Sequence, residues 1–519
     1  MNRNYLKLPI VFMACAAAAM LGCAPKQTPL IDIAPQNASV AAWGKTDAKL
    51  TAQLRQRADY KQLMAELKSS AKIKSELAKI LAEAEKGTKG ISSIFISKDD
   101  PIGSIEEIIF DSVDEVLIYT DEKIDSGDGA PSFSAILRLK SKKFSQKVGK
   151  ALEAFAANNK GARIAAADGK PAYLLCKEWG GILARAEGLN LIVASQKRFE
   201  QTVKNLANPP KENIAANEKF ARLAGGDNGN FLFFLDCTAF GADVEKQATA
   251  VFASGKCDSL ERGTLKIKAE LAENSEALKF MRGYKLLTPQ KTAAMPMSQA
   301  YVALALPNDI AQLAKNASKL TEDPMVPMLA QFANDIREIE FSVCNYGGKK
   351  GADGDRMPSG MAVLTVEDSA KLLNSPSIEP YIKQMMFAPQ EIDGAECLVS
   401  PIGAAIIKVS PKKLALTFSK DLKDAVKYAS GKTAAPQDKL LENLKTDADT
   451  FCKFYFDENI LFANEPDDEK GYKIHAALQK MYKAYRIAGS LTTKGNVVEL
   501  DLDAFADIDF NALLQELKK

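Results

Sequence analysis

The body of this chain is written twice, and that repetition limits its fold more than any other feature. Pro131-Ser132-Phe133-Ser134-Ala135-Ile136-Leu137-Arg138-Leu139 matches Pro358-Ser359-Gly360-Met361-Ala362-Val363-Leu364-Thr365-Val366 at an offset of 227 residues. The neighbours keep step. Val113 to Thr120 and Ile336 to Val343 both read as strands ahead of the match. Behind it, Asp168-Gly169 answers Asp393-Gly394 at 225, and Leu191 to Ser195 answers Ala415 to Ser419 at 224. Phe231 to Asp236 and Cys452 to Asp457 follow at 221. Small loop insertions produce such drift, and closure entropy penalises them only logarithmically. The period far exceeds the roughly 20 to 50 residues of solenoid repeats, so it predicts duplicated domains.

Ala38 to Trp43 and Ala300 to Ala305 read as opening strands. Thr264 to Leu271 and Val497 to Ala504 alternate polar and apolar residues, the period of a strand with one face buried. Between the strands run stripes at helical spacing. They comprise Leu63 and Leu67; Ile73, Leu77, Ile80 and Leu81; Phe144, Val148, Ala151, Leu152 and Phe155; Phe199, Val203 and Leu206; and Leu422, Ala425, Val426 and Ala429. The pattern predicts an α+β fold of two tandem duplicated domains. Each is expected to be a mainly antiparallel or mixed sheet covered on one face by helices. The domains are placed at residues 38–284 and 299–519, joined by a linker at 285–298 that contains Pro289 and Pro296.

The N-terminus has a different character. Arg3 and Lys7 precede an apolar run from Leu8 to Leu21, too short for the ~20 residues that cross a bilayer. The run ends in Met20-Leu21-Gly22-Cys23, where small glycine before cysteine permits cleavage and the thiol accepts a diacylglycerol. This segment resembles the lipobox of bacterial lipoproteins, with Met20 where leucine is commoner. The resemblance covers only the signal, residues 1–22, and its cysteine. It implies acylation of Cys23 and attachment to the cell envelope. Ala24 rather than aspartate after the cysteine implies sorting to the outer membrane. Residues 23–37, with Pro25, Pro29 and Pro35, read as an extended tether.

Cleavage before Cys23 leaves 497 residues, in which 66 basic side chains balance 66 acidic ones. Such a balance argues against nucleic-acid binding, which draws on phosphate neutralisation. Lys45 to Lys89 is locally basic and stands close to the anchor. Anionic head groups are one partner for it, but a solvated mixed-charge helix face is the simpler reading.

Few residues offer chemistry. His475, in the helix-like run Tyr472 to Tyr485, is the only histidine. Triads and most zinc sites call for one or more, and no nucleophile or ligand pattern accompanies it. Ser430-Gly431-Lys432-Thr433 resembles the end of a phosphate loop, but Val426 occupies the position of the first glycine. Gly225-Gly226-Asp227-Asn228-Gly229 lacks dinucleotide spacing and reads as a turn. Asp125 to Gly129 and Gly351 to Asp355 carry closely spaced carboxylates, without the ligand order or closing glutamate of a calcium loop. Asp236 and Asp457 end apolar strands; catalysis is one reading, and bonding to the following turn is the preferred one. No cofactor or metal is expected.

Six cysteines remain after Cys15 and Cys23: Cys176, Cys237, Cys257, Cys344, Cys397 and Cys452. The envelope permits disulfides. However, Cys176 aligns with Pro401, Cys397 with Ala172 and Cys344 with Asp121. No bridge is therefore common to both copies, and buried free thiols are the preferred reading. The expected function is a membrane-anchored, non-enzymatic structural, scaffolding or binding module, with an envelope protein or apolar ligand as partner. The alternatives are a periplasmic carrier of a lipid or other apolar ligand and a carboxylate- or Ser/Lys-dependent hydrolase. The lining of the largest pocket separates the three.

Overall fold

The computed structural model describes residues 29–71, 73–75, 77–79, 82, 92–97, 99–123, 132–177, 181–227, 229–288, 299–307, 335–344, 359–376, 378–418, 422–430, 439–442, 444, 447–457, 482–512 and 515. The chain divides into two compact units. Unit 1 comprises Met1–Ala272 with Asp509–Lys519, and unit 2 comprises Glu273–Ile508. Cys23, the two acidic loops, His475 and the linker core at 289–298 lie outside the described residues.

Unit 1 contains β1 (Val40–Lys45), β2 (Val113–Thr120), β3 (Ser134–Leu139), β4 (Arg163–Ala165), β5 (Pro171–Cys176), β6 (Ile182–Glu187), β7 (Asn190–Ser195), β8 (Phe231–Asp236), β9 (Ala248–Cys257) and β10 (Arg262–Leu271). They pair, all antiparallel, in the order β4-β5-β6-β7-β3-β2-β1-β8-β9-β10. Its longer helices are α1 (Ala48–Gln56), α2 (Ala58–Ser69), α3 (Pro101–Asp111), α4 (Lys142–Asn158), α5 (Gln196–Ala207) and α6 (Glu218–Ala224).

Unit 2 contains β11 (Ala300–Ala305), β12 (Ile336–Cys344), β13 (Ser359–Val366), β14 (Ala388–Ile392), β15 (Ala395–Val399), β16 (Ala404–Ser410), β17 (Lys413–Phe418), β18 (Thr450–Asp457), β19 (Tyr482–Lys494) and β20 (Val497–Ile508). The antiparallel order is β14-β15-β16-β17-β13-β12-β11-β18-β19-β20. Its longer helices are α7 (Glu276–Arg282), α8 (Ser369–Leu373), α9 (Glu379–Gln384) and α10 (Leu422–Ala429). The fold is thus α+β with antiparallel pairing.

Helices cover both sheet faces, not one. Ser141 caps α4 by accepting the Phe144 N–H at 3.1 Å. Phe144, Val148 and Leu152 of that helix then pack with Leu139, Tyr173 and Ala184. On the opposite face, Phe199 of α5 packs with Ala172, Leu183, Ile192 and Ala194. Tyr173 and Ala172 are consecutive, as are Ala184 and Leu183, so they point to opposite sides of the sheet. Both residue sets on these strands are apolar, and each needs cover; fully burying a Phe199-sized side chain contributes about 1.5–3 kcal/mol. Unit 2 behaves likewise. Ala425 and Val426 of α10 meet Met361, Val363, Ile407 and Ala415, whereas Leu372 and Leu373 of α8 meet Leu364, Val366, Ile406 and Leu414.

Three boundaries differ from the sequence expectation. Residues 29–37, read as part of the tether, are folded into unit 1, where Leu30 is fully buried and Ile33 nearly so. Residues 273–288, read as the end of the first domain and the start of the linker, belong to unit 2 because Met281, Tyr284 and Leu287 fill its core. Residues 509–519 belong to unit 1, with the Phe510 ring 5.5 Å from Tyr60 in edge contact and the Arg57 guanidinium over it at 5.2 Å. The helix-like run Tyr472–Tyr485 also ends in strand, since Tyr482 to Tyr485 pairs with Ala506 to Ile508 in the β19–β20 hairpin. Among the described residues, no helix is long and apolar enough to cross a membrane.

Candidate functional site

Unit 1 contains an open hollow of about 340 Å³ formed by three helices. From α2, Tyr60, Lys61, Met64 and Lys68 reach it at helical spacing, with Arg55 from α1 and Glu106 from α3. Its polar groups are largely held in place. Asp111 takes both Arg55 terminal nitrogens, at 3.0 and 2.7 Å. Glu106 lies 3.6 Å from Arg55 Nε and accepts from Lys68 Nζ at 3.4 Å and from the Tyr60 hydroxyl at 3.4 Å. Burial, reinforced by Glu106, pushes the Tyr60 phenol up to about 12, so it stays a donor across the physiological range. Lys61 is exposed at the rim. The lining therefore mixes Arg55, Lys61, Lys68 and Glu106 with the apolar surfaces of Met64, Ala65 and the Tyr60 ring.

A second set of polar groups lies inside the sheets. Glu115 on β2 is 1% exposed. Its Oε1 accepts from the Leu30 backbone N–H at 2.5 Å and from Trp43 Nε1 at 2.6 Å, and its Oε2 from the Arg138 guanidinium. In unit 2, Glu338 on β12 is equally buried. It accepts the Thr288 backbone N–H at 2.8 Å and the Thr288 hydroxyl. Two residues on, Glu340 accepts the Tyr301 hydroxyl at 2.7 Å. Lys453 on β18 lies beneath, its ammonium 5.8 Å from the Tyr301 ring centroid. Burial lowers the Lys453 pKa against the opposing pull of Glu340 and Glu338. In all three, carboxylates are tied to donors of their own unit, an arrangement that orders the sheet interior. Sequence reasoning missed them: a lone glutamate among strand valines carries no mark of partners 23 to 85 residues away.

The residues singled out from sequence separate into structural roles. Asp236 accepts from Thr238 N–H at 3.0 Å, Thr238 Oγ1 at 2.7 Å and Lys219 Nζ at 2.7 Å, so it binds the turn after β8. Burial works to raise its pKa, but these hydrogen bonds prevail and hold it below the usual carboxylate value. Asp457 ends β18, where its backbone N–H donates to Gln299 O at 2.8 Å. Gly225 closes α6 in the left-handed conformation, a helix terminus and not a dinucleotide turn. Cys176, Cys237, Cys257, Cys397 and Cys452 are free thiols. Burial raises the pKa of Cys237, Cys257 and Cys397, and pushes Cys452 up to about 11. Among the described residues, no group of three His, Cys, Asp or Glu side chains is placed to hold a metal ion.

No known protein family and no curated protein matches the chain. A solved structure described as crystal form I of TP0453 is similar over 43% of this chain and 94% of its own, at 9% identity and a TM-score of 0.24. A likeness that loose carries no argument.

Proposed function

We propose that this chain is an envelope lipoprotein, held in the outer membrane by acylated Cys23 and acting as a non-enzymatic binding or scaffolding module. The observation that carries the reading is the apolar run ending in Leu21-Gly22-Cys23. Two or more acyl chains on one cysteine anchor stably where a single one does not. The hollow between α1, α2 and α3 supports a binding role through polar groups, because its lining is cationic and open.

The body is read as a tandem duplication. Supporting it, the strand order from edge to edge is the same in the two units, with Ser134–Leu139 and Ser359–Val366 at equivalent positions. Leu30 and Thr288 each donate a backbone N–H to the glutamate at the same place in β2 and β12. Two related surfaces on one chain suit bivalent grip of a partner.

Mass spectrometry of protein extracted from membranes tests the anchor. The expected mature form begins at Cys23 and carries lipid; an unmodified terminus there overturns the reading. Cys23→Ala is expected to abolish lipid attachment and leave the precursor uncleaved.

A further inference from the structure

We propose that the turn between α9 and β14 in unit 2, with Met386 at its apex, is an apolar tip that enters a lipid surface. Met386 has φ +52°, a left-handed conformation that a side chain adopts only under strain. Its N–H donates to Lys383 O at 3.0 Å and the next N–H, of Phe387, to Ile382 O at 3.1 Å. The Ser400 hydroxyl donates to Met385 O at 2.6 Å, which ties the β15–β16 turn to the same place. The turn is held firmly, and yet its side chains face solvent. Met386 is 65% exposed and Ile402 64%, with Tyr381 and Met385 exposed beside them.

The first unit shows what this turn holds without such a role. At the offset of 225 residues, Gly161 stands where unit 2 has Met386 and Lys160 where it has Met385. Gly161 has φ +80°, and no atom lies within 4 Å of where its Cβ would be. Glycine meets the backbone demand at no strain. Unit 2 instead accepts strain to project a methionine outward. Retained strain at an exposed apolar residue points to function.

The occupant follows from charge. From Gln384 to Gln390 no side chain is ionisable, and the nearby Lys383 is paired to Glu379 at 2.6 Å. An uncharged tip of methionine, isoleucine and tyrosine suits the boundary of head groups and acyl chains. The chain reaches that boundary if Cys23 is acylated, so the proposal rests on the anchor reading.

The test uses the full chain incorporated into phosphatidylcholine vesicles whose acyl chains carry bromine, a contact quencher of tryptophan. Met386→Trp and, separately, Ile402→Trp place the reporter at the tip. Lys177→Trp is the control, and the signal of Trp43 and Trp179 is subtracted. The expected result is a blue-shifted tip tryptophan that loses most of its fluorescence in brominated vesicles, with the control unchanged. Two tip reporters keep the test valid if one variant misfolds. Unquenched fluorescence at both overturns the proposal, as does a blue shift that grows with protein concentration in lipid-free solution, the mark of a second copy or another protein face. Mass spectrometry of the same sample reads the anchor separately. An acylated chain with an unquenched tip removes the tip and leaves the anchor, whereas a quenched tip on an unacylated chain does the reverse. An unacylated, unquenched chain removes both.

Discussion

Arg138→Leu is expected to destabilise unit 1 severely, and the buried geometry sets the scale. Arg138 is 8% exposed and Glu115 1%, so neither charge is solvated by water. Removing the guanidinium leaves a carboxylate held only by the N–H groups of Leu30 and Trp43. Breaking a buried pair in this way costs about 3–5 kcal/mol. Glu115→Gln combined with Arg138→Leu keeps a carbonyl oxygen for those two donors and removes the stranded charge. The double variant is therefore expected to recover about 2 kcal/mol or more of the loss, a coupling in the usual range for contacting residues. Urea unfolding followed by tryptophan fluorescence measures it, since both tryptophans, Trp43 and Trp179, belong to unit 1. A loss below about 1 kcal/mol for Arg138→Leu would refute the reasoning, because surface ion pairs contribute no more than that. A double variant as weak as the single would do so too.

Asp114 is buried, one carboxylate oxygen lacks a hydrogen-bond partner, and burial raises its pKa above 3.8. Folding then favours the protonated form, so the charged group opposes stability at neutral pH and ceases to do so as pH falls below 3.8. Asp114→Asn should raise the unfolding midpoint at pH 7 and lose that advantage in acid; an equal midpoint at both pH values would count against it. Asp236 has the opposite sign: its lowered pKa contributes stability above about 4 that disappears as pH falls through the folded value, and Asp236→Asn should flatten that acid limb of the stability curve. Cys452, raised to about 11, should resist alkylation at pH 8 in the native protein and react on unfolding; rapid native labelling would contradict its burial. Phe234→Ala removes a fully buried ring in edge contact with Phe220 at 5.5 Å and should cost about 3–5 kcal/mol in calorimetric or urea unfolding.

Strands and helices with a clear period were legible in the sequence. Phe144, Val148 and Leu152 form one buried face of α4, and Ser134–Leu139 pairs antiparallel with Val113–Thr120. The cover on both sheet faces was also written there, in the unbroken apolar run Leu191-Ile192-Val193-Ala194, but alternation elsewhere drew attention to single faces. Residues 29–37 misled because prolines suggest an extended segment while Leu30 and Ile33 are too few to make a periodic signal. The hollow could not be read at all. Its residues come from three helices, and only tertiary packing sets Glu106 beside Tyr60 and Lys68. Buried charges are invisible for the same reason, since local sequence does not encode a partner from another strand.

If Cys23 is acylated as proposed, the docking of Leu30 onto Glu115 limits how freely the protein moves. Folding residues 29–37 into unit 1 leaves residues 24–28 between Cys23 and the body. A segment of this length spans at most about 20 Å even when fully drawn out. An acylated chain would sweep a shallow layer next to the bilayer, its first unit confined to that depth. For an acylated chain, partners diffusing in the membrane plane would fall within this working radius.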